Sequence, residues 1–118
     1  MAESLDMAKV AAAAADAKKA QDIVLLDLRG LTDVCDYFLI CTTQNNPQMD
    51  AVVEEIKRRV LEECGTKPIS TEGRGGSGWL LMDYGSLVCH VFKPETRDFY
   101  RLENLWGDAP RVPLELEQ

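Results

Sequence analysis

Apolar residues recur along this chain in two rhythms, and the rhythms divide it into helices and strands. Met49, Val52, Val53, Ile56, Val60 and Leu61 are spaced by threes and fours, with Glu54, Glu55, Lys57, Arg58 and Arg59 between them. That is one face of an amphipathic helix. Asn46-Pro47 predicts its start, since asparagine can cap and proline suits the first helical position, and Gly65 supplies a left-handed stop. A second helix is expected over 1–20, capped by Ser4, with Lys18 and Lys19 near its negative end. Its alanine face is shallow, which predicts weak anchoring. A last helix, Glu95 to Trp106, presents Phe99, Leu102 and Trp106 on one face and stops at Gly107.

The other rhythm is that of strands. "DIVLLDL" (Asp22 to Leu28) and "DYFLICT" (Asp36 to Thr42) are short apolar runs rich in β-branched and aromatic residues, parted by Arg29-Gly30 and Thr32-Asp33. "KPISTEG" predicts a third strand. "GWLLMDYGSLVCHVF" (Gly78 to Phe92) predicts a hairpin whose first strand points Trp79, Leu81 and Asp83 one way and Leu80, Met82 and Tyr84 the other. Both faces carry large apolar groups, so both need a cover. The order α-β-β-α-β-β-β-α describes an α/β chain of the α+β type, a mixed sheet of about five strands flanked by helices. The expected divisions are a peripheral helix at 1–20, one domain at 21–107 and an extended tail at 108–118 marked by Pro110 and Pro113.

Composition narrows the function. A chain of 118 residues suits one core, and 46% hydrophobic with 28% charged residues is ordinary for a folded domain. Twenty acidic against thirteen basic residues leave a formal charge of -7, which disfavours direct RNA binding and suits a basic protein partner. The N-terminal stretch has too short an apolar run for a signal peptide, lacks arginine and carries acidic residues, and no run reaches membrane-spanning length. A cytoplasmic location and no membrane partner are expected. Four cysteines form no C-x-x-C pair, and Cys41 and Cys89 fall within strands, where thiols act as small hydrophobes.

Candidate chemistry is sparse. "GRGGSG" matches G-x-G-x-x-G at Gly73, Gly75 and Gly78, but a strand follows it, so no helix N-terminus would receive a phosphate; a mobile connection is expected. His90 neighbours Cys89, yet adjacent strand residues face opposite ways, which predicts a hydrogen-bonded structural histidine. Asp22, Asp27, Asp33 and Asp36 are scattered as cap and turn residues, with no D-x-D pair after Gly85-Ser86 to gather magnesium. No catalytic set, no metal site and no cofactor are expected, and the chain reads as no enzyme.

"DYFLICT", "EG....GWLLMDYGSLVCHVF" and "PETRDFYRLENLW" together resemble the ribosome silencing factor family, also called Iojap-like, over residues 22 to 109 or so. Gly78-Trp79, Asp83-Tyr84-Gly85, His90-Val91-Phe92 and Tyr100, Leu102, Glu103 and Trp106 carry the likeness. One departure is Pro47 in "QNNPQ", where the family more often has arginine. The resemblance implies a nucleotidyltransferase fold without its catalytic aspartates. It also implies binding to the large ribosomal subunit through ribosomal protein uL14, a block on joining of the small subunit, and repression of translation. Trp79 and Tyr84, aided by Asp83 and Tyr100, are the expected partner-binding residues. The alternatives are a degenerate nucleotidyltransferase-like domain that still binds nucleotide and metal, and a homodimer formed through the sheet surface.

Overall fold

The computed structural model describes residues 4–73 and 78–116. In chain order it contains α1 (Ser4–Ala17), β1 (Gln21–Asp27), β2 (Tyr37–Thr42), α2 (Asn46–Cys64), β3 (Ser70–Glu72), β4 (Trp79–Asp83), β5 (Leu87–Phe92), α3 (Pro94–Tyr100) and α4 (Leu102–Leu105). The strands form one five-stranded sheet in the order β1-β2-β5-β4-β3. β2 and β5 run parallel at its centre, and the other neighbours are antiparallel. This is the mixed α+β sheet that the apolar patterning predicts. No helix among the described residues is long and apolar enough to cross a membrane.

α2 forms where its spacing places it. Asn45, rather than Asn46, is the cap: its side chain accepts from the Gln48 N–H, and Pro47 sits in the first turn. Gly65 closes the helix at φ 65°, its N–H donating to the Leu61 carbonyl. Met49, Val52, Val53, Ile56 and Val60 are buried, while Leu61 turns outward. Glu55 is also largely covered, and Arg58 and Arg59 both reach its carboxylate at 2.7 Å, which holds its pKa down at about 2.

The sheet has two covered faces, as the hairpin's pattern requires. α1 and α2 lie over Leu25, Tyr37, Leu39, Cys41, Leu80, Met82, Leu87, Cys89 and Val91. On the opposite face Leu26, Ile40, Val88 and Phe92 meet Leu102, Ala109 and Trp106 from the chain's last third.

α1 departs from the expected peripheral helix. Ala8, Ala11, Ala12, Ala14 and Ala15 are fully buried in the main core. Alanine offers little area per residue, but its small side chain lets a helix approach its neighbours closely, so a shallow face is still a packed one. Ser4 is the first described residue of α1, and its hydroxyl donates to Asp36 Oδ2 at 3.0 Å, joining the helix to the entry of β2.

The last helix departs too. It breaks at Arg101, whose backbone is left-handed at φ 48°, ψ 53°. The break lets Leu102 turn into the core while Phe99 stays outside at 80% exposure, so Phe99 does not share the inner face expected of it. β3 is shorter than "KPISTEG" suggests, spanning three residues at the sheet edge. Beyond α4 the chain is extended and lies along β1: Asp27 N–H donates to the Pro110 carbonyl at 2.9 Å and Val112 N–H to the Leu25 carbonyl at 2.8 Å.

Candidate protein-docking face

β4 alternates as a strand must. Leu80 and Met82 are buried beneath the helices, whereas Trp79, Leu81 and Asp83 are half-buried on the other face. Register sets Trp79 opposite Phe92 and Leu81 opposite His90 on β5. The result is a cluster of rings. Trp79 stacks on Phe92 at 5.1 Å between centroids and lies 4.7 Å from Tyr100, and Phe38 meets His90 edge to face at 4.5 Å. Trp79 Nε1 donates to His90 Nδ1 at 3.1 Å. An indole nitrogen can only donate, so Nδ1 is the acceptor and the ring proton of the neutral imidazole lies on Nε2. Burial pushes the His90 pKa down to about 4. The imidazole is therefore a neutral prop beneath Trp79, the structural histidine expected from its position.

α3 supplies the outer wall. Lys93 N–H donates to the Gly78 carbonyl at 2.9 Å, and Gly78, at φ 80°, leaves room for the Thr96 side chain that any Cβ there would strike. Arg97 clamps the helix to the sheet's end: its Nη1 donates to the Asp22 carbonyl at 2.7 Å and to Thr42 Oγ1 at 2.8 Å, and its Nε to Glu103 at 3.0 Å. Beside the clamp lies a polar cleft of about 770 Å³ lined in part by Asp22, Asp98, Arg101 and Arg111, whose charges balance.

The expected site residues separate. Trp79 and Tyr100 come together in the ring cluster, and Tyr100 is 46% exposed. Asp83 shares their sheet face but lies four residues along β4, about 13 Å away; its Oδ1 accepts from the Gly85 N–H at 2.7 Å and so fixes the hairpin turn. Tyr84 does not join them. It is buried on the helix-covered face in the main core, its hydroxyl has no hydrogen-bond partner among the described residues, and burial raises its pKa. Strand alternation is the reason: residues 79 and 84 differ by an odd number. The Arg97 clamp is what sequence reasoning missed, because nothing in "PETRDFY" marks it.

The remaining candidates are structural where they are described. Asp27 pairs with Arg29 at 2.9 Å and Asp36 receives Ser4. Cys41 and Cys89 are buried, which raises both thiol pKa values. No group of three or more His, Cys, Asp or Glu placed to hold a metal occurs among the described residues. Of the "GRGGSG" loop, Arg74 to Ser77 lie outside the described residues.

Fold and site together define a small single-sheet α+β protein whose sheet carries a partly exposed cluster of aromatic rings on the face away from α1 and α2. A family model, Ribosomal silencing factor during starvation, matches residues 1–118, and the chain belongs to that family. It is 45% identical over 107 residues to the ribosomal silencing factor RsfS of Bacillus subtilis, covering 91% of this chain and 90% of that one. It is 32% identical over 91 residues to the mouse protein named Mitochondrial assembly of ribosomal large subunit protein 1, covering 75% of this chain and 40% of the mouse one. A crystal structure of a Chromobacterium violaceum protein superposes with a TM-score of 0.84 at 30% identity, over 98% of this chain and 94% of that one. A ribosome silencing role follows from the family.

Proposed function

We infer that this protein binds the large ribosomal subunit through ribosomal protein uL14 and, by occupying that surface, keeps the small subunit from joining, so that translation is repressed. The observation that carries the docking site is the Trp79–Tyr100 pair, two aromatic rings in contact on the sheet face away from α1 and α2 and open in part to solvent. Half-buried aromatics on a rigid support are the residues that dominate binding energy at protein interfaces. The mouse relative's name refers to the large subunit, and a net charge of -7 favours a basic ribosomal protein over exposed RNA.

Sedimentation of the chain with purified large subunits tests the reading, followed by addition of small subunits. Co-sedimentation and a reduced yield of joined ribosomes are expected. Tyr100→Ala should weaken binding at least tenfold, about 1.4 kcal/mol, with an unchanged melt. Trp79→Ala is a poorer probe, because it also removes packing on Phe92 and the donor to His90. A chain that stays at the top of the gradient, or that binds without reducing subunit joining, overturns the reading.

A further inference from the structure

We propose that Phe99 is the leading anchor of this face, an aromatic side chain that enters an apolar pocket on a basic protein partner. The proposal rests on the docking reading above and adds a residue that reading does not contain.

The ring is 80% exposed and meets Tyr100 edge to face at 5.1 Å. It therefore stands at the outer end of a chain of rings, Phe99 to Tyr100 to Trp79 to Phe92, with centroid spacings of 5.1, 4.7 and 5.1 Å. Beyond its edge-to-face contact with Tyr100, the ring gains little inside the monomer, because most of its surface stays in water. The helix beneath is equally unrewarded: α3 has seven residues and buries none of them. A helix so short has little stability of its own, and here polar clamps hold it: Arg97 to Asp22, Thr42 and Glu103, and the Lys93 N–H to Gly78. Fixed from behind, the helix presents Phe99 in one place before any partner arrives, which lowers the ordering cost of binding.

Backbone strain points the same way. Arg101 adopts the left-handed region, which disfavours any residue with a Cβ, and α3 ends there. Because the chain turns at that point, Leu102 is buried and Phe99 is not. Unbroken helical spacing would have carried residues 99, 102 and 106 toward one face. Strain that keeps an apolar group in water is understandable where the group is used outside the molecule.

Charge selects the occupant. On and beside the helix Lys93 and Arg101 balance Glu95 and Asp98, and Arg97 is turned inward and paired with Glu103, so the charge that acts on a partner is that of the whole chain. The chain as a whole carries -7, so a second copy of itself would meet like charge and a basic protein opposite charge. Leu105, 73% exposed on α4, adds apolar area nearby in the chain.

Calorimetric titration of isolated uL14 and of purified large subunits with the full chain, Phe99→Ala and Phe99→Leu tests this. Phe99→Ala should lose at least tenfold in affinity for both, Phe99→Leu should fall between it and the parent chain, and denaturant melts of all three should coincide. Parent-like binding by Phe99→Ala overturns the proposal and leaves the docking reading standing. Failure of the parent chain to bind either target overturns both. Light scattering that shows a parent dimer abolished by Phe99→Ala would make the occupant a second copy and would overturn the basic partner.

Discussion

His90 is 3% exposed, neutral, and accepts a hydrogen bond from Trp79, and each of these facts resists a second proton on the ring. Its pKa falls from 6.5 to about 4 through burial, so the unfolded chain binds this proton more readily than the folded one. With that sign, the stability linked to His90 is complete above pH 6.5 and is lost as pH falls toward 4, by roughly 3 kcal/mol at most. Glu55 is held low by Arg58 and Arg59 and has the same sign in a lower window, from its ordinary 4.5 down to about 2. Urea midpoints measured between pH 7 and 4 should therefore decline in the parent chain. His90→Gln should flatten that decline, and an unchanged slope would show that another group titrates there.

At the scale of elements, α1 carries the sharpest consequence. Its buried alanines leave no space for a larger side chain, so Ala11→Leu should destabilise by roughly 1 to 3 kcal/mol through overpacking. Removal of residues 1–18 would uncover the face that α1 shares with α2 and β2, and cooperative unfolding should be lost. A truncated chain that melts normally would return α1 to the periphery. The contrast with α2 explains what was legible. α2 announced itself through large apolar residues at intervals of three and four, an asparagine-proline start and a glycine stop, each a direct trace of backbone geometry. α1 did not, because hydrophobicity measures area and alanine's contribution is closeness. The hairpin's two apolar faces were equally plain, and its alternation already parted Trp79 from Tyr84; their grouping came from the family likeness and not from the strand. The break at Arg101 left no mark, since only a glycine or asparagine there would have signalled a left-handed turn. Phe99 was consequently assigned inward.

For the whole molecule, both ends of the sheet are finished differently from its middle. β3 is three residues long at one edge. At the other, the extended segment from Pro110 onward is hydrogen-bonded to β1 and packs Val112, Leu114 and Leu116 against the main core. Deleting residues 108–118 should expose β1 as an open edge and produce self-association that rises with concentration in light scattering. A monomeric truncated chain would mean that the segment is only a passenger.

Pro113 gives this border segment a further property. Pro110 and Val112 turn their backbone groups toward β1, so Pro113 falls on the outer side, where its missing N–H makes the segment a poorer template for another strand. An open sheet edge is a template on which a second chain can pair, and a hem that ends in a residue without a donor interrupts that template where the sheet stops.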